Sequence, residues 1–270
     1  MSRVASLLRA ALAGVVLAVF AFALIGPLAN LALWSVAERW YTPYKLPVTY
    51  GTRYWEQVFR PTGDAMASLG TSVWIAVLTV VVALALSVPA GYALARLKLP
   101  MRSLFMLLFL LPQAFPSLAV YFNIARLFYG VGLNGTIAGV VLVHAVHGLV
   151  IAVWIAAAAF AAVDRELELA ARNIGASALR TALTVTLPLA APGLMAAAIF
   201  VFLESLDEFT GTYFVGVPDV TTLPLMMFTA SLGGNYQIAA ITALILLVPS
   251  IAFMLLIERF LNTEMLAKVG

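Results

Sequence analysis

The 270 residues are 64% hydrophobic and 10% charged, with a formal net charge of +3 and a mean hydropathy of +1.05, whereas ordinary soluble domains are about half apolar and a quarter charged. That composition excludes a water-soluble globular fold. The lysines and arginines sit at the ends of apolar runs and build no basic face, which argues against a nucleic-acid partner. With no cysteine, disulfides, zinc thiolate sites and thiolate-ligated iron–sulfur clusters are excluded too.

In chain order, apolar runs fall at 10–36, 65–95, 103–125, 137–163, 189–203 with an acidic extension, and 238–257. Each is near the roughly 20 residues a helix needs to cross a bilayer. The expected fold is therefore all-α, with about six transmembrane helices in a single transmembrane domain over 1–270. The charged start followed by an apolar run resembles a signal peptide in outline, but the run is longer than a signal core and is read as a retained first span.

Placing both termini in the cytoplasm puts Arg3, Arg9, Arg96, Lys98, Arg102, Arg165, Arg172, Arg180, Arg259 and Lys268 inside. Only Arg39, Lys45, Arg53, Arg60 and Arg126 then lie outside, as the positive-inside rule prefers. The largest external segment, 35–64, carries Trp40, Tyr41, Tyr44, Tyr50, Tyr54 and Trp55, which suit the headgroup boundary.

The third run contains Pro112 and Pro116, and the two missing backbone donors predict a kinked or broken helix that could line a pathway. Gly130, Gly132, Asn134 and Gly135 predict the turn that follows. In the fourth run His144 and His147 lie three apart. With no acid or thiol near them in sequence, helix–helix hydrogen bonding is the preferred role over a metal site or proton relay.

Between the fourth and fifth runs lies DRELELAARNIGASALRTALTVTLP. Asp164 can cap a short helix, Glu168 can pair with Arg172 four residues on, and Gly175 can supply a left-handed stop, which predicts a helix near 165–174. Val163, Leu167, Ala170, Ala171 and Ile174 give it one apolar stripe with small residues at its centre.

This run resembles the EAA loop of binding-protein-dependent ABC importer permeases, with Ala170, Ala171, Gly175, Val185, Leu187 and Pro188 in register. Leu169 departs from the pattern: it stands where an acid is usual, and Glu168 is the nearest one. The resemblance implies a coupling helix seated in a groove of a separate ATPase subunit, with Glu168 among the coupling residues, and a chain that is no enzyme. It also implies a multi-pass bacterial inner-membrane location. The implied partners are a second permease, two ATPase subunits and an extracytoplasmic solute-binding protein. The chain has no GxxxxGK[ST] phosphate loop, so no cofactor is expected on it, and ATP and magnesium would be used by the partner ATPases.

The fifth run ends in Glu204, Asp207 and Glu208, three and four residues apart and so expected on one helical face. With Pro112 and Pro116 they are the candidate translocation pathway. Acids at this depth are costly without water or partners. The SLDEF segment and the later Thr222, Leu223 and Pro224 resemble the polyamine, phosphonate and iron branch of these permeases, which implies a polyamine or 2-aminoethylphosphonate as solute. The alternatives are a ferric-ion permease or an ion-coupled secondary transporter using the same acids. HExxH and GxSxG patterns are absent, which removes the obvious intramembrane hydrolases.

Overall fold

A computed structural model describes residues 2–60 and 64–269, and side chains over 10–60 and 64–259. The side chains of Arg3, Arg9 and Lys268, counted in the orientation argument, lie outside the described residues. The chain divides into two compact units, one of residues 1–65 and 227–245, the other of 66–226 and 246–270.

The first unit begins with α1 (Ser2–Ser35). A two-stranded antiparallel hairpin follows, β1 (Ala37–Arg39) and β2 (Thr49–Tyr50), which the all-helical expectation did not include. Beyond it lies α2 (Arg53–Phe59). Aromatic residues order this segment: Trp34 stacks on Trp40 at 4.3 Å, and Tyr236 packs on Trp34 at 5.3 Å. The most apolar part of α1, within Ala10–Ser35, has no buried residue, so lipid or another subunit must cover it.

The second unit contains α3 (Ala65–Arg96), α4 (Arg102–Ala114), α5 (Ser117–Val131), α6 (Ile137–Ala162), α7 (Arg165–Asn173) and α8 (Ala178–Thr181). A π-helical stretch, Ala182–Thr186, then leads into α9 (Leu187–Asp207), followed by α10 (Thr210–Val215). The last helices, α11 (Leu223–Leu232) and α12 (Tyr236–Val269), each begin in one unit and end in the other. Among the described residues five helices are long and apolar enough to cross a membrane, or six where the bent pair α4 and α5 is counted as one span.

Helix α6 is the central span, with 61% of its apolar window buried, more than in any other. It is hydrophobic all round, as a helix surrounded by others must be. Small residues let its neighbours approach. A Cβ on Gly91 of α3 would sit 2.6 Å from the Ala156 Cβ and 2.8 Å from backbone atoms of Ala156 and Ala157. On the α9 side Gly148 faces Val201 and Gly193 faces Ala159, and Ala83, Ala152, Ala197 and Val201 are fully buried together. Without a hydrophobic force between helices in lipid, such close backbone contact is what holds spans together.

The third apolar run is broken rather than merely kinked. Helix α4 stops at Ala114, Pro116 caps α5, and the two axes meet at 94°. Pro116 excludes the helical conformation for Phe115, which lies extended at φ −102°, ψ 149°. The following turn starts later than expected, because Gly130 is helical and only Gly132 and Gly135 take positive φ. The fifth span starts earlier, at Ala178, so Val185, Leu187 and Pro188 are helical and not loop residues.

Candidate functional site

Two arrangements stand out in the second unit, one at the ends of the spans around α7 and one inside the bundle. The first is built by local sequence. The Asp164 side chain accepts the Glu166 N–H at 2.9 Å and starts α7. Gly175 ends it with φ +93°: its N–H donates to the Arg172 carbonyl and the Ala176 N–H reaches back to Ala171, the paired bonds of a Schellman stop. No side chain crowds Gly175, so its role is conformational.

The expected apolar stripe is largely presented outward. Leu167 is 48% and Ile174 89% exposed; Ala170 is exposed and Ala171 half-buried, while Val163 is buried. Leu169, in the position usually acidic, is exposed as well. Glu168 points the other way and is buried. It does not pair with Arg172; its Oε1 lies 3.0 Å from Arg96 Nε as a close ion pair and accepts the Thr186 hydroxyl at 2.8 Å. Arg96 Nη2 also donates to the Val163 carbonyl at 2.7 Å, and Arg165 Nη2 to the Ala95 carbonyl at 3.3 Å. Glu168 therefore ties α7 to the end of α3 and to the π segment before α9. A buried carboxylate needs this pairing, whereas a solvated one could have used Arg172.

The second arrangement lies where α5, α6, α9 and α10 meet. Tyr121 is fully buried, and its hydroxyl donates to Glu208 Oε2 at 2.7 Å. With that single proton committed, the hydroxyl oxygen accepts from His147 Nδ1 at 2.9 Å. Glu208 Oε1 accepts the Gly211 N–H at 2.8 Å. His144 is held by Ser205 at 2.8 Å and Thr212 at 2.9 Å, one hydroxyl on each ring nitrogen. Both histidines thus join helices through hydrogen bonds, as the sequence suggested.

The three acids do not share one helical face. Helix α9 ends at Asp207, and Glu208 turns into extended backbone at ψ 110°, drawn off the helix by Tyr121 and the Gly211 N–H. Asp207 is exposed and Glu204 half-buried, and Glu204 Oε2 is enclosed without a hydrogen-bond partner among the described residues. Pro112 stays inside α4, and Pro116 sits at the break that brings Tyr121 to His147. Sequence reasoning missed Arg96, Thr186, Tyr121, Ser205 and Thr212. A basic residue closing a span was the only visible signal, and it pointed to orientation rather than to Glu168.

The family model described as binding-protein-dependent transport system inner membrane component matches residues 87–263. The trehalose transport system permease protein of Mycobacterium tuberculosis is 32% identical over 223 residues, covering 79% of this chain and 80% of the relative. The osmoprotective compounds uptake permease protein of Synechocystis is 28% identical over 233 residues, 84% of this chain and 76% of the relative. Among solved structures, a bacterial ABC transporter that imports the acidic polysaccharide alginate superposes with a TM-score of 0.67 at 19% identity, over 97% of this chain and 96% of that one.

Proposed function

The chain belongs to the family of binding-protein-dependent transport system inner membrane components, and from that premise we propose that it is a single transmembrane domain forming half of the translocation pathway for a small polar solute. It is a permease of an ATP-driven importer and not an enzyme; hydrolysis resides in separate subunits. In this reading a second permease completes the pathway, an extracytoplasmic binding protein delivers the solute, two ATPase subunits bind below, and both termini are cytoplasmic. ATP and magnesium belong to those subunits.

The observation that carries the reading is α7. It is a short capped helix with an internal carboxylate anchor and an outward face of Leu167, Ala170 and Ile174. A helix fixed to two spans and exposing apolar and small residues is fitted to receive a partner and to pass its movement on. Ala170, Ala171 and Gly175 then form the contact, Glu168 holds it to the bundle, and Val185, Leu187 and Pro188 carry movement into α9. Closure of the ATPase pair would switch the bundle between inward-open and outward-open states.

For the solute, an amine-bearing molecule, a polyamine or 2-aminoethylphosphonate, is supported by the SLDEF and TLP resemblance and by the unpartnered Oε2 of Glu204 in the bundle. A neutral sugar is the second reading, supported by the trehalose permease among the relatives.

The test is the reconstituted complex with its cognate binding protein, offered putrescine, spermidine, 2-aminoethylphosphonate, trehalose and ferric ion. Binding of one solute, with loaded-protein stimulation of ATP hydrolysis, is the expected result. Ala171→Arg should abolish that stimulation and weaken copurification with the ATPase. Solute uptake without ATP would overturn the importer reading, and unchanged coupling in Ala171→Arg would overturn the role of α7.

A further inference from the structure

Between the end of α3 and the inner side of α7 lies a cavity of about 330 Å³, lined chiefly by Tyr92, Arg96, Arg165, Glu168, Leu169 and Arg172. Three guanidinium groups face one carboxylate there, which leaves two positive charges in excess. Arg96 is buried and its partners are internal: Glu168 and the Val163 carbonyl. Arg165 reaches back to Ala95 with one nitrogen, at 3.3 Å. Arg172 makes no ion pair among the described residues, although an acid stands four residues before it, because Arg96 has taken that acid.

The cavity lies at the end of α3, a helix long and apolar enough to cross a membrane, and its lining includes the exposed Leu97 and Leu169. Exposed apolar residues thus stand beside the arginines of the cavity. Guanidinium groups match phosphate oxygens in planar, paired geometry, and basic pockets between spans at headgroup depth select anionic headgroups.

We propose that this cavity is a binding site for a phosphate group, occupied by the headgroup of an anionic phospholipid of the leaflet in which α3 ends. Arg165 and Arg172 supply the charge that holds the phosphate, Tyr92 and Leu169 border the first carbons of the lipid, and the Arg96–Glu168 pair forms the floor. A lipid seated here touches both α3 and α7, so its presence would stiffen the connection between them.

The test uses the full chain, purified in mild detergent from membranes and placed in nanodiscs of phosphatidylcholine with or without phosphatidylglycerol. Native mass spectrometry then counts retained phosphatidylglycerol, and a parallel melting assay in detergent adds inorganic phosphate at millimolar concentration. The expected result is retained phosphatidylglycerol that falls on the order of tenfold in Arg165→Gln/Arg172→Gln and survives in Arg172→Lys, which keeps the charge. If lipid retention is equal in all variants but inorganic phosphate raises the melting temperature of the parent and not of the double variant, the site takes soluble phosphate and the lipid assignment is overturned. Equal lipid retention together with no phosphate effect overturns the site itself. The Arg172→Lys arm separates loss of charge from loss of fold, since a misfolded double variant would not share the melting profile of its charge-keeping counterpart.

Discussion

A carboxylate as buried as Glu168 needs partners in place of water, and it has two, Arg96 at 3.0 Å and the Thr186 hydroxyl at 2.8 Å. Removing one member of a buried pair strands the other, at a cost of about 3 kcal/mol. Glu168→Gln should therefore lower stability against thermal or detergent denaturation by about that amount, with Arg96→Gln/Glu168→Gln losing less than the two single variants combined. Strict additivity in that cycle would remove the pair as a stabilising contact. Gly175 presents a different residue-scale case, since its φ of +93° and open surroundings make the backbone the sole obstacle to a side chain. Gly175→Val should destabilise α7 by about 1–2 kcal/mol and increase proteolysis there, while Gly175→Asn is tolerated; equal behaviour of the two would mean that α7 does not need its stop. Glu204, half-buried with its Oε2 enclosed and without a hydrogen-bond partner among the described residues, is expected to matter for passage and not for folding. Glu204→Gln should reduce solute uptake several-fold with complex assembly unchanged, and normal uptake across a range of concentrations would leave it a structural residue.

Elements in this chain are held by approach distance more than by side-chain bulk. Helix α3 carries its own control: Gly91 lies against the α6 backbone, while Gly70 has nothing within 4 Å. Gly91→Ala should cost about 1–3 kcal/mol, because the added carbon meets backbone that cannot step aside. Gly70→Ala should be neutral or slightly stabilising, since alanine is the better helix former by about 1 kcal/mol. Melting of both variants in the same detergent decides it, and a tolerated Gly91→Ala would show that α3 and α6 are not pressed together there. The same comparison shows what was legible locally. Asp164 and Gly175 act on neighbouring backbone groups, so the start and stop of α7 could be read from the sequence. The pairing of Glu168 could not: Arg172 was the base one helical turn on in sequence, and Arg96 comes near only once α3 and α7 are assembled. The break at Pro116 was anticipated as a possibility, but its 94° angle places Tyr121 against His147 and follows from packing, with no sequence signal.

At the scale of the whole molecule, the spans imply an orientation that labelling can check directly, because the chain contains no native cysteine to remove. In intact cells Lys45→Cys should react with a membrane-impermeant thiol reagent, and Lys98→Cys should react only after permeabilisation. The reverse pattern would invert the topology and move α7 to the wrong side for an ATPase. Legible from the chain alone were the solvent, a count of about six candidate spans, the existence and limits of α7 and the kinship that its spacing carries. These depend on composition and on interactions within a few residues of chain. Tertiary structure alone decided that Glu168 faces inward to Arg96 and Thr186, that Glu208 leaves its helix for Tyr121, and that three arginines surround one cavity. The reason is physical: away from water a charge or a hydroxyl must be satisfied by whichever partner packing brings within about 3 Å, and for helices joined far apart along the chain that choice exists only after they have assembled.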